Sequence, residues 1–142
     1  MIYTPLTKKA MHICLDAHKN QVDKSGFPYA HHPLHLAKQM TDEATTIVAL
    51  LHDVVEDTEW TLEALAKEGF PAGAIEAIAL MTHDPDVDYL DYVRIIKQNP
   101  IARAVKLADL AHNCDTTRLE TVTEEDRQRV KKYQKATQLL LD

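Results

Sequence analysis

The sequence predicts an all-α fold, a compact bundle of seven or eight helices. Three observations lead there. Apolar residues recur at three- and four-residue spacing through most of the 142 residues. No segment alternates apolar and polar residues as a half-buried strand would. Gly, Pro and short polar clusters divide the chain into pieces of helical length.

Each element follows from its own signals. From Thr7, the residues Met11, Cys14, Leu15, His18 and Val22 fall at helical spacing. They predict a first helix of about four turns. It should stop near Lys24-Ser25-Gly26, before Phe27-Pro28. Tyr29-Ala30-His31-His32 is a short loop into a second helix, with Pro33 in its first turn and an end near Met40. A third helix, about Ala44 to Val55, is apolar almost all round and belongs at the centre. Asp57-Thr58-Glu59-Trp60 breaks it. Thr61 caps a fourth helix to about Lys67, and Gly69-Phe70-Pro71 separates it from a fifth that ends near Met81. After the loop His83-Asp84-Pro85-Asp86, the stripe Tyr89, Tyr92, Val93 and Ile96 marks a sixth. Asn99-Pro100 restarts the chain into a long apolar helix to about Asp115. Thr123-Glu124-Glu125-Asp126 opens the last helix as a capping box would. Its Leu139, Leu140 and Leu141 suit packing either on the chain's own core or in a homo-oligomer.

Composition bounds the function. With 45% hydrophobic and 27% charged residues, the chain is expected to be one soluble domain over residues 1–142. Three Gly and six Pro exclude a collagen-like or Gly/Pro-rich disordered chain. The longest apolar run, Ile47 to Leu51, is far short of the roughly 20 residues that cross a bilayer. The opening Met1-Ile2-Tyr3-Thr4-Pro5 is no secretory leader, so a cytoplasmic protein without membrane attachment is expected. A net charge of −6 argues against nucleic acid as a partner. A small anionic substrate stays compatible, because a metal ion and one or two lysines reverse the sign locally. Cys14 and Cys114 form neither a disulfide framework nor a zinc knuckle and are read as small packed thiols.

Two polar groups stand out on apolar helices. The first is His52-Asp53, with Glu56 and Asp57 four residues after each. If the helix continues, each pair shares a face. One imidazole and three carboxylates in so apolar a stretch need either a capping network or a cation. The second is Lys106-Leu107-Ala108-Asp109-Leu110-Ala111-His112-Asn113, where Asp109, Asn113 and Thr116 are spaced along one face. His32, just before Pro33, reads alone as a loop histidine bonded to backbone. Together His32, His52, Asp53 and Asp109 make a two-imidazole, two-carboxylate set drawn from separate elements, as core metal sites of helical bundles are. Mixed N/O donors suit Mn²⁺, Fe²⁺, Co²⁺ or Zn²⁺.

These stretches resemble a known family. Lys24-Ser25-Gly26, Tyr29-Ala30-His31-His32-Pro33, Ala49-Leu50-Leu51-His52-Asp53-Val54-Val55-Glu56-Asp57-Thr58 and Lys106-Leu107-Ala108-Asp109 with His112-Asn113 are similar to the HD-domain metal-dependent phosphohydrolases. Within them the likeness is to the hydrolase domain of RelA/SpoT-type alarmone enzymes and their small stand-alone relatives. The resemblance implies one divalent metal, Mn²⁺, on His32, His52, Asp53 and Asp109. It implies that Glu56 and Asp57 orient and deprotonate the attacking water. It places Lys24, Ser25, Tyr29, Asn113 and Thr116 in a nucleotide pocket, and it implies removal of pyrophosphate from the 3′ position of guanosine tetra- or pentaphosphate.

The chain departs from the pattern at two points. The family carries basic residues before Lys24, one packing on the base, where this chain has Val22-Asp23. The family's Arg after the second Asp is Leu110. Metal-binding and water-activating residues are thus intact, while the base-reading part is altered. Asp23 and Leu110 keep a nucleoside 5′-phosphate hydrolase open as an alternative, and a non-catalytic nucleotide-binding module is a third reading against which the intact Glu56-Asp57 pair counts. A hydrolase without a nucleotide synthetase or regulatory module is expected. His12, His18 and His35 are read as surface residues, and His31 as solvent-facing. His83 with Asp84 and Asp86 is a weak second cation site, and His112 is support for the Asp109 region.

Overall fold

Thr4 and Thr7 start the first helix, α1 (Pro5–Ala17), by a reciprocal cap: each side chain accepts the other's backbone N–H. The computed structural model describes Met1–Asp142, all of it helix, turn and loop. The helix ends at His18, short of the expected stop, because the His18 ring turns to Gln21 and closes the chain on itself. Its buried face is Ala10, Ile13 and Cys14, so Leu15 and Val22 are exposed rather than core. Val22 instead pairs with Pro28 in an isolated bridge, around a turn in which Gly26 adopts a positive φ of 81°.

The second helix, α2 (His31–Lys38), has Pro33 in its first turn as expected. Asp42 caps α3 (Glu43–Leu51) by accepting the Thr45 N–H at 2.8 Å, and every residue from Thr45 to Leu51 is buried. The expected continuous helix to Val55 is in fact two. The Ala49 carbonyl, which in an unbroken helix would accept from residue 53, accepts from His52 Nδ1 at 2.7 Å instead. His52 and Asp53 form a turn, and α4 (Val54–Asp57) begins after it. That break raises the count to nine helices, against the seven or eight expected.

The remaining elements follow their caps: α5 (Leu62–Lys67) after Thr61, α6 (Ala72–Met81), α7 (Tyr89–Lys97) after Asp88, and α8 (Pro100–Asn113) after Asn99. Thr123 and Asp126 form the capping box that starts α9 (Glu124–Leu141). The central α3 packs on α1, α2, α6 and α8. A single cluster of 25 buried apolar residues runs through all of them, with Leu36, Ile47, Leu50, Ile78 and Leu110 among its fully enclosed side chains. The last helix lies on α7 and α8, burying Ala136 and Leu140, and Arg103 Nε donates to the Leu140 carbonyl at 2.8 Å. It therefore packs on its own core, leaving Leu141 exposed. No helix is long and apolar enough to cross a membrane.

Candidate metal centre and adjoining cavity

Helix α2 presents His32, the α3–α4 turn presents His52, and α8 presents Asp109. All three are buried, and one ligand atom from each lies within 4.8 Å of the others. His32 Nε2 is 2.9 Å from Asp109 Oδ1, and His52 Nε2 is 3.7 Å from the same oxygen. Asp53, the fourth expected ligand, stands beside this trio with Oδ2 3.0 Å from His52 Nε2. Tyr29 donates its phenol proton to that carboxylate.

The tautomers follow from the partners. His52 donates its Nδ1 proton to the Ala49 carbonyl, so in the neutral ring Nε2 is the nitrogen that carries the lone pair. That nitrogen is buried with no hydrogen-bond partner, yet it faces the carboxylates of Asp53 and Asp109. On the far side of His32, its Nδ1 is 2.6 Å from Nδ1 of His112. Burial and the neighbouring His32, Arg118, His35 and His31 push the His112 pKa down to about 4. His112 is thus neutral at neutral pH, and a single proton between the two Nδ1 atoms joins it to His32, whose Nε2 faces Asp109. His112 supports the Asp109 region as expected, through His32, which bonds Asp109.

Two imidazole nitrogens converging on carboxylate oxygens call for a positive charge among them, a ring proton or a cation shared by the whole group. The titration behaviour agrees. Burial works against a charged His52, but Asp53 and Asp109 more than offset it and hold its pKa well above the ordinary value. Burial likewise opposes ionisation of Asp109, but Lys106 and the imidazoles of His32 and His52 keep it well below the carboxylate range. Lys106 Nζ lies 2.9 Å from Asp109 Oδ2, and Asn113 Nδ2 donates to Oδ1 at 3.0 Å. The donor set, two imidazoles with one or two carboxylates, fits a divalent metal ion.

Glu56 and Asp57 project from α4 at the solvent edge. Partial burial and the negative charge of Asp53 raise both carboxyl pKa values, and Asp57 adds to the effect on Glu56. A cavity of about 340 Å³ opens beside the cluster. All five expected pocket residues line it: Lys24, Ser25, Tyr29, Asn113 and Thr116. Tyr29 and Asn113 belong to both places, since they also bond Asp53 and Asp109. Thr116 reaches the wall from beyond the end of α8 rather than along its face, because the helix stops at Asn113.

Sequence reasoning missed Arg118 and Arg129, both on the cavity wall. The Asp126–Arg129 pair could have been anticipated from its three-residue spacing on the last helix, but Arg118 sits in a segment with no periodic signal. Asp23 does not point a bare negative charge at the pocket. Its Oδ1 accepts the Ser25 and Phe27 N–H groups at 2.8 and 3.0 Å, and its Oδ2 pairs with Arg118. Leu110 is a fully buried core residue. His18 is buried, not on the surface, and its Nδ1 faces Gln21 Oε1 at 2.8 Å. His35 is exposed but stacks on His112, with ring centres 4.2 Å apart. The His83 loop gathers no cation site: His83 Nε2 bonds the Val87 carbonyl at 2.8 Å, and Asp84 accepts from the Asp86 N–H.

No family model matches the chain. Among curated proteins it is 36% identical over 132 residues to the mouse guanosine-3′,5′-bis(diphosphate) 3′-pyrophosphohydrolase MESH1, covering 82% of this chain and 73% of that protein. The chain belongs to the RelA/SpoT-like guanosine-3′,5′-bis(diphosphate) 3′-pyrophosphohydrolases. The human member is 38% identical over 102 residues, which is 64% of this chain and 56% of that protein. A probable GTP pyrophosphokinase of Mycobacterium leprae is 31% identical over 125 residues, 80% of this chain but only 16% of that much longer protein. The chain thus spans between about a sixth and three quarters of these pyrophosphohydrolase-family relatives. The fold is that of a solved metazoan SpoT ortholog, described as hydrolysing ppGpp, with a TM-score of 0.78, 24% identity and 99% of this chain and 88% of that one covered.

Proposed function

We propose that residues 1–142 act as one Mn²⁺-dependent hydrolase that removes pyrophosphate from the 3′ position of guanosine 3′,5′-bis(diphosphate) or a closely related nucleotide. The observation that carries this reading is the convergence of two imidazole nitrogens and carboxylate oxygens beside a cavity of about 340 Å³ that Lys24, Arg118 and Arg129 help to line. The family relatives, several named for that activity, support it.

In this reading His32, His52, Asp53 and Asp109 hold the metal, which when bound supplies Lewis acidity at the scissile phosphoryl group and eases deprotonation of water. Glu56 and Asp57 receive the water's proton. Their raised pKa values make them better bases than an ordinary surface carboxylate. Water adds to the phosphorus attached to the ribose 3′-oxygen, the bond between that oxygen and phosphorus breaks, the departing oxygen takes up the proton the carboxylates received, and the products are a 3′-hydroxyl and pyrophosphate. Lys106 keeps Asp109 ionised and in place, and Tyr29 fixes the rotamer of Asp53. Lys24, Ser25, Asn113 and Thr116 line the space for the rest of the nucleotide.

Product analysis tests the reading. Protein in Mn²⁺ should release pyrophosphate from guanosine tetra- and pentaphosphate, with His52→Ala as the blank. Orthophosphate from nucleoside 5′-phosphates in its place would assign a 5′-nucleotidase, and binding without any turnover at full metal occupancy would assign a non-catalytic module.

A further inference from the structure

Between α8 and α9 the chain carries a cation for which the metal chemistry has no use. Arg118 lines the cavity beside Lys24 and Ser25. One amino group of its guanidinium lies 3.4 Å from Asp23 Oδ2, and its Nε is buried without any acceptor. Its backbone is pinned as well, since Ser25 Oγ donates to the Arg118 carbonyl at 2.9 Å. A guanidinium offers five N–H donors in a rigid plane, and here a single long contact engages it. Asp23 has little left to give, because its other oxygen already accepts two backbone N–H groups.

The neighbouring cations differ. Arg129 is bound to the buried Asp126, which also caps α9. Lys24 makes no ion pair and is exposed. Arg118 and Lys24 are therefore the wall residues with donors to spare, and they sit together across the loop that Asp23 shapes. What would satisfy Arg118 is an anionic oxygen group presented to its edge. A base stacked on its face would leave Nε unpaired, whereas a phosphate matches the fork of a guanidinium.

We propose that Arg118 binds the phosphate groups on the 5′ side of the nucleotide and so selects substrates phosphorylated at both ends. This rests on the hydrolase reading above: with the 3′-diphosphate at the cluster of His32, His52 and Asp109, the remainder of the molecule extends along the wall reached through Tyr29 and Asn113. Asp23 is the tether that holds the guanidinium there, so the residue that breaks the family pattern is the one that positions the compensating cation.

The test crosses a protein change with a substrate change. Steady-state kinetics are measured for wild type, Arg118→Gln and Arg118→Lys on guanosine 3′,5′-bis(diphosphate) and on guanosine 3′-diphosphate, which lacks 5′ phosphates. Loss of a charge-assisted phosphate contact should raise KM for the first substrate about tenfold or more with kcat little changed. On the second substrate Arg118→Gln should match wild type, and Arg118→Lys should recover part of the loss on the first. Equal losses on both substrates would overturn the proposal and make Arg118 a structural residue. Should wild type release pyrophosphate from neither, the hydrolase reading fails separately. Equilibrium titration with the same two nucleotides then decides: weakening of the doubly phosphorylated one alone upholds the Arg118 assignment, and weakening of both or neither ends it.

Discussion

His52 shows how a backbone group decides the chemistry of a side chain. By taking its Nδ1 proton, the Ala49 carbonyl leaves one nitrogen for ligation and aims it at Asp53 and Asp109. His52→Ala or Asp109→Ala is expected to lose bound metal and turnover together, read by metal analysis and a pyrophosphate assay. Glu56→Ala should keep the metal and lose rate by about 10²–10⁴, the usual worth of a positioned base. His112→Ala removes the hydrogen-bond partner of His32 Nδ1, and should weaken metal affinity about 10–100-fold while leaving the pocket unaltered. The raised carboxyl pKa values of Glu56 and Asp57 put the acid limb of the rate profile above the ordinary carboxylate range, with activity falling as pH drops through it. In the folding equilibrium the sign is opposite: groups raised on folding favour the folded state at low pH, and that contribution is lost as pH rises. The four proposed ligands were legible because carboxylates and imidazoles on apolar helices are costly without a partner. Arg118 was not, because nothing in the spacing of a loop residue says which cavity it faces.

Among the elements, helix starts were the most readable feature. Thr61, Asn99 and Thr123 each cap the helix the sequence assigns to them. Thr123→Ala should cost about 1 kcal/mol in stability, measured by urea unfolding. Because α9 carries Arg129 and Tyr133 on the cavity wall, the same variant should raise KM without releasing metal. The break between α3 and α4 was invisible, since hydrophobic periodicity continues through Leu50, Leu51, Val54 and Val55 while one side-chain-to-backbone bond interrupts the ladder. The early end of α1 has a similar origin, in the contact between His18 and Gln21.

Across the whole molecule, the all-α class followed from periodicity, but the order of packing did not. That α3 would be central was readable from its all-round apolar surface; that α9 would close over α7 and α8 was not. Leu50→Ala, at a fully enclosed site in α3, should cost about 2–5 kcal/mol of stability. The site has a consequence for the chain as a polymer. His32 and Asp109 are separated by 77 residues and meet at one point. An ion shared between them ties α2 to α8 as a reversible cross-link, closing a loop that spans more than half of the chain. Such a link removes freedom from the unfolded ensemble only while the ion is bound. A chelator should therefore lower the melting temperature as well as stop turnover, and heat resistance should follow the free metal concentration around the protein.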